Sequence, residues 1–144
     1  IDGKKGHLED RGYPVEHDEE KCNFLQVAYL ILYRELPNDE QLATWTHDIT
    51  HHTFVHENIK TLMQAFRYDA HPMGMFISTV AALSTFYPEA NKVNEAENRL
   101  AQIKRLIAKV PTIAAYTYRH DRGLRYVDPD NDISYSVIFL NMMF

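Results

Sequence analysis

The chain has 144 residues, 45% of them apolar, with 15 basic and 20 acidic side chains and a net charge of −5. That composition excludes a disordered chain and suits one globular domain with a sizeable core, and the acidic balance without any long basic run argues against nucleic acid as a partner. The single cysteine, Cys22, excludes an internal disulfide and points to a reducing compartment, taken here as the cytoplasm.

In chain order, Ile1–Gly6 reads as a short strand and tight turn, and Leu8 to Val15 as a second short strand closed by Gly12 and Pro14. The acidic run Glu16 to Glu20 reads as a solvated turn or a first helical turn. Asn23 with Gln26 forms a capping pair, and Phe24, Val27, Ala28 and Ile31 then recur at helical spacing up to a stop at Pro37. Asn38 with Gln41 repeats the device, followed by the narrower stripe Leu42, Trp45 and Ile49. Ile59, Leu62, Met63 and Phe66 give the face of a third helix.

Between Pro72 and Pro88 lie fifteen residues without a charge. Pro72 suits a first helical turn, and Pro88 marks the far end. Met73, Phe76, Val80 and Leu83 share one face, while Met75, Ile77, Ala82 and Phe86 cover the others. A helix apolar all round is expected to be buried, in an all-α core or a subunit interface. The run is too short to span a bilayer, which needs about 20 apolar residues.

Asn94 with Glu97 reads as the next cap, opening a long helix to His120 with the stripe Leu100, Ile103, Ile107, Val110 and Ala114 and a kink at Pro111. Asp121 to Asn131 is a loop, and a last helix starts near Asp132 or Ser134, carrying Tyr135, Val137, Ile138, Phe139 and Leu140. The reading is six or seven helices with a small β entry. Ile1 at one end and Met142-Met143-Phe144 at the other make the chain look cut from something longer.

The chemistry-bearing residues are not specific. His47 with His51, and His52 with His56, have a spacing that can chelate a metal from one helix face, but no third ligand is indicated. Asp69 and His71 flank a helix start, where capping is the simpler role. Arg67, Arg99, Lys104, Arg105, Arg119, Arg122 and Arg125 are scattered, as solvated basic residues usually are. No phosphate loop, nucleophile elbow or paired-cysteine motif occurs. These residues alone identify no reaction.

Several motifs in the same order carry a resemblance. Arg67-Tyr-Asp-Ala-His-Pro-Met-Gly, Ile1-Asp-Gly-Lys-Lys-Gly with Arg11-Gly-Tyr-Pro-Val, and Phe24-Leu-Gln-Val-Ala-Tyr-Leu-Ile-Leu-Tyr-Arg-Glu-Leu-Pro resemble the corresponding segments of citrate synthases. So do His52-Thr53, His56-Glu57, Leu106-Ile-Ala-Lys-Val-Pro-Thr-Ile-Ala-Ala, Asn131-Asp-Ile-Ser-Tyr and Phe139-Leu-Asn-Met-Met-Phe. The resemblance implies a mainly α protein, residues 1–144 forming the N-terminal portion of the large domain, with the small domain and the C-terminal part absent. It implies a Claisen-type condensation of acetyl-CoA with oxaloacetate giving citrate and free CoA. Acetyl-CoA is then a co-substrate, with no further cofactor and no metal.

The same resemblance implies a homodimer, or a hexamer of dimers, through Met73–Tyr87 and Glu95–His120, without nucleic acid or membrane. The family's catalytic histidines and aspartate belong to motifs downstream of Phe144, so no catalytic residue is carried over and the chain alone is expected to be inactive. The cofactor-binding residues stay unknown. Alternatives are a 2-methylcitrate synthase using propionyl-CoA, or a non-catalytic helical assembly module.

Three departures from the family pattern stand out. His51 and Asp130 occupy positions where members regulated by NADH carry arginine, which disfavours a dinucleotide phosphate. Arg34 stands where members often have glycine. His7-Leu8-Glu9-Asp10 is more polar than the usual strand.

Overall fold

The computed structural model describes residue 6, residues 8–14 and residues 22–144. The proposed strand over Ile1–Gly6 and the acidic run Glu16–Glu20 fall almost entirely outside the described residues. The chain divides into two compact units, Ile1–His47 and Asp48–Phe144.

In the first unit the proposed second strand is itself a hairpin. β1 (Glu9–Asp10) pairs antiparallel with β2 (Tyr13–Pro14), with Asp10 opposite Tyr13. The turn is Arg11-Gly12, both at positive φ (53° and 91°). A two-residue turn of that hand matches strand twist, which is why the chain reverses there. The Arg11 guanidinium donates to the Ile31 carbonyl at 3.2 Å, near the end of α1 (Phe24–Tyr33).

The Asn23–Gln26 capping box forms as expected, with both reciprocal bonds at 2.8–2.9 Å. α1 stops at Arg34, before Pro37, because Arg34 enters the left-handed region (φ 68°). That conformation favours glycine over a residue with a side chain. The expected stripe is corrected: Phe24 and Ile31 are exposed, and Leu25, Tyr29 and Leu30 are buried. α1 is apolar nearly all round, so spacing could not choose a face. Trp45 helps choose it, donating from Nε1 to the Leu25 carbonyl at 2.9 Å and meeting Tyr29 edge-on. Trp45 lies on α2 (Asp39–Thr50), whose Asn38–Gln41 cap also forms.

The second unit is built on α3 (Glu57–Gln64), α4 (Pro72–Leu83), α5 (Ala96–Asp121) and α6 (Tyr135–Met143). Val55, Ile59, Met63, Met75, Leu83, Ile113, Ala115, Tyr116, Ile138 and Met142 form one buried core. Full burial of an aliphatic side chain of this size contributes roughly 1.5–3 kcal/mol.

α4 starts as the sequence predicts, with Pro72 in its first turn and His71 Nδ1 accepting from the Met73 amide at 3.2 Å. It ends at Leu83, short of Tyr87. The Ser84 and Thr85 hydroxyls donate back to the Ala81 and Ala82 carbonyls (2.9 and 2.8 Å), and the chain tightens into 3-10 turns at Ser84–Phe86 and Pro88–Asn91. Burial is one-sided within this chain. Met75, Thr79 and Leu83 are inside, while Met73 and Ile77 are 56% and 61% exposed.

Glu95 holds the N-cap position of α5 without a side-chain cap bond, and the expected Asn94–Glu97 pair does not form; the Asn94 carbonyl accepts from Arg99 instead. The expected stripe is also corrected. Ile103 is exposed and Leu100, Ile107, Val110 and Ala114 are half-buried, whereas Ala108, Lys109, Thr112, Ile113, Ala115, Tyr116 and Thr117 are buried. Small and hydroxyl-bearing side chains win here because they admit close neighbours and satisfy their own polar atoms. The Thr117 hydroxyl, for example, donates to the Ile113 carbonyl at 2.9 Å. The helix continues through Pro111. α6 follows the predicted loop, with Ser134 as its N-cap residue. No helix among the described residues is long and apolar enough to cross a membrane.

Candidate functional site

The polar chemistry of the second unit gathers around the middle of α5. The extended segment between α2 and α3 presents three successive carbonyls to it. Lys109 Nζ donates to His52 O at 2.9 Å and also to Phe54 O, and the Thr112 hydroxyl donates to Thr53 O at 2.7 Å. The Thr53 hydroxyl in turn donates to Asn131 Oδ1 at 2.7 Å, tying in the loop before α6. Lys109 is only 6% exposed. Burial, with a smaller push from the Arg105 charge, lowers its ammonium to about 8. Carbonyl dipoles hold this cation in place of a carboxylate.

One turn earlier, the Arg105 guanidinium lies over the Tyr87 ring at 3.7 Å and donates to Gln102 Oε1 at 2.8 Å. Together with Val80, Leu83, Ser84 and Leu106 these residues line a cavity of about 210 Å³. A second cavity of about 220 Å³ lies where Asp48, His52, Lys104 and Arg105 meet, and there Lys104 pairs with Asp48 at 3.1 Å. A guanidinium stacked on a ring keeps in-plane N–H groups for a carboxylate or phosphate, so this wall suits a small anion.

At the other end of α5, Asp128 accepts from Lys60 at 2.6 Å and from the Tyr116 hydroxyl at 2.7 Å, and Lys60 also reaches Glu57 at 3.0 Å. Partial burial works against the Lys60 charge, but the two carboxylates outweigh it and its pKa rises. Asp128 is held below the usual carboxylate range, chiefly by Lys60. Burial, then the bond to Asp128, pushes the Tyr116 phenol far up. Tyr126 stacks on Tyr116 at 4.7 Å, and its hydroxyl meets His120 Nδ1 at 3.0 Å. The network anchors the loop after α5.

The residues singled out in the sequence mostly do structural work. His56 Nδ1 accepts from the Asn58 amide, capping α3, and His52 Nδ1 is bonded to the Asp48 carbonyl. His47 lies on α2, and His51 just beyond it, beside the Thr50 hydroxyl. Among the described residues no three His, Cys, Asp or Glu side chains converge on one point. Asp69 pairs with both arms of Arg67 (2.8 and 2.9 Å), and His71 caps α4. Several of the scattered cations turn out to be engaged. Arg99 holds the Val93 and Asn94 carbonyls, Arg119 those of Arg125 and Met143, and Arg122 lies over Tyr118. Asp130 accepts from the Asp132 amide.

Lys60, Tyr87, Lys109, Tyr116 and Asp128 were not legible as a group. The one available signal was Lys109, an isolated charge between Ala108 and Val110 in an otherwise apolar turn.

These elements, a hairpin followed in sequence by helices that include the long proline-containing α5, define a class. All of residues 1–144 match the family model described as citrate synthase, C-terminal domain. The chain belongs to the citrate synthase family. Among curated relatives it is 51% identical over 152 residues to a citrate synthase of Dictyostelium discoideum, covering 99% of this chain and 29% of that protein. It is 53% identical over 150 residues to a peroxisomal citrate synthase of the same organism, covering 99% of this chain and 30% of the relative. The chain thus spans about three-tenths of the length of these relatives. Among solved structures it is similar to citrate synthase from Pyrobaculum aerophilum, with a TM-score of 0.89 and 32% identity over 97% of this chain and 37% of that one. The Thermotoga maritima enzyme, at a TM-score of 0.81 and 24% identity over 97% of this chain and 36% of that one, shares the fold.

Proposed function

We propose that the full-length protein condenses acetyl-CoA with oxaloacetate to give citrate and free CoA, and that residues 1–144 are the N-terminal portion of its large domain. The observation carrying this reading is backbone agreement at a TM-score of 0.89 across 97% of the chain with a solved citrate synthase. Residues 1–144 supply scaffold and subunit interface. No catalytic role is assigned among them, and acetyl-CoA serves as co-substrate without a further cofactor. The reading takes the cytoplasm as the compartment.

The protein works as a homodimer, or a hexamer of dimers, through Met73–Tyr87 and Glu95–His120. Two features support that surface: the outward face of α4, where Met73 and Ile77 are exposed beside Gly74, Ser78 and Ala81, and the exposed Ile103 and Leu106 on the first half of α5. The second half of α5 is committed to the core of its own chain, so the interface narrows to the first half.

The test is release of a free thiol when the full-length protein meets acetyl-CoA and oxaloacetate. Thiol release that needs both substrates, with citrate as product, is the expected result. Release with propionyl-CoA in strong preference to acetyl-CoA would reassign the substrate, and no release with either would overturn the reading.

A further inference from the structure

In an α-helix each carbonyl accepts from the N–H four residues ahead. Pro111 has no N–H, so the Ile107 carbonyl has no helical donor, and the pyrrolidine ring crowds the same oxygen. An orphaned carbonyl inside a packed helix is costly unless something else reaches it. Tyr135, the first residue of α6, does so. Its hydroxyl donates to the Ile107 oxygen at 2.7 Å. At the far end of α6, Arg119 on α5 donates to the Met143 carbonyl at 3.0 Å. Between these two fastenings only Ile138 and Met142 are buried, while Val137 and Leu140 are 48% and 52% exposed.

We infer that Pro111 and Tyr135 form a latch: the proline frees an acceptor on α5, and the tyrosine hydroxyl uses it to seat the first turn of α6, with Arg119 as the hinge at the other end. The sequence places the two residues 24 apart, and the Ile107 carbonyl links them. When the latch lets go, the carbonyl is left empty and the first turn of α6 swings out about its Met143 end. The preceding loop stays tethered through Asp128 to Lys60 and Tyr116, and through Asn131 to Thr53.

The latch makes a prediction that an ordinary tyrosine contact does not. Tyr135→Phe removes the donor and should speed hydrogen–deuterium exchange of the peptide covering Tyr135–Met143 in the full-length protein by about five- to tenfold. Pro111→Ala restores a backbone N–H for the Ile107 carbonyl, and in that background Tyr135→Phe should change the exchange less than twofold. Pro111→Gly restores the same N–H with a different side chain, and serves if the alanine variant does not fold. Equal acceleration by Tyr135→Phe with and without the proline overturns the latch, as does no acceleration in the native background.

Discussion

The two halves of α5 are one continuous helix with opposite fates. Between Ala108 and Thr117 one face of it is walled in: Ile113 and Tyr116 are fully buried, and Thr112, Thr117 and Lys109 spend their polar atoms on carbonyls. Before Ala108 it shows Ile103 and Leu106 to the outside, 38% and 41% exposed, beside charged Arg105 and Lys104. The richer aliphatic half is the exposed one. Burial on α5 therefore follows side-chain size and polar satisfaction more than hydrophobicity: small residues let α4 and α6 close in, and hydroxyls and one ammonium absorb nearby carbonyls. The aliphatic half is left exposed in the single chain.

Substitutions sharpen that contrast, most strongly at the inner half. Ile113→Ala should cost about 2–5 kcal/mol in urea unfolding of the full-length protein, because a fully buried branched side chain leaves a cavity. Ile103→Ala should cost well under 1 kcal/mol in the separated subunit, and equal costs at the two sites would erase the distinction.

Lys109→Met should come next, at about 2 kcal/mol near neutral pH, since it strips donors from the His52 and Phe54 carbonyls. It should also change a pH slope. The folded ammonium is lowered to about 8 from 10.5, so the unfolded chain binds more protons between those values and stability rises with pH there. Tyr126 and Tyr135, held up to about 12 in the fold by burial, act oppositely above pH 10, where the folded state keeps protons the unfolded chain loses. Between pH 8 and 10 the native protein should therefore gain stability that the Lys109→Met variant does not. A gain of the same size in the variant would show that Lys109 is not the group responsible.

Asp128→Asn tests the fastening at the far end of α5. Its carboxylate is half exposed, so solvent screening limits the loss to about 1 kcal/mol. The contribution is present above the ordinary carboxylate pKa and fades as pH drops through the lowered folded value. An acid-unfolding curve unchanged by the substitution would count against it. Smallest is Arg34→Gly, which relieves a side chain at φ 68° and should stabilise the fold by about 0.5–1 kcal/mol in thermal unfolding.

Much of this architecture was legible in local chemistry. The Asn23–Gln26 and Asn38–Gln41 caps mark helix starts by hydrogen bonds that lie within a few residues in sequence, and Pro72 and Ser134 mark the starts of α4 and α6 by residue type and backbone conformation. Faces were harder. α1 is apolar on both sides, so its orientation depends on Trp45, a contact 20 residues away. On α5 the aliphatic spacing traced an outward stripe, because the real inner face is made of alanine, threonine, tyrosine and one lysine. The polar centre was least legible, since Lys109 finds its partners more than fifty residues back, at the His52 and Phe54 carbonyls, which no pattern of side chains records.

The proposed subunit interface consists of the outward face of α4 and the exposed half of α5. Ile77 is 61% exposed in the single chain, so Ile77→Arg should leave the fold intact while placing a charge in that contact. Sedimentation of the full-length variant at micromolar concentration is the direct measurement. The expected result is a folded monomer beside a native protein that sediments as a dimer or larger; a variant that assembles as tightly as the native protein would rule the proposed interface out.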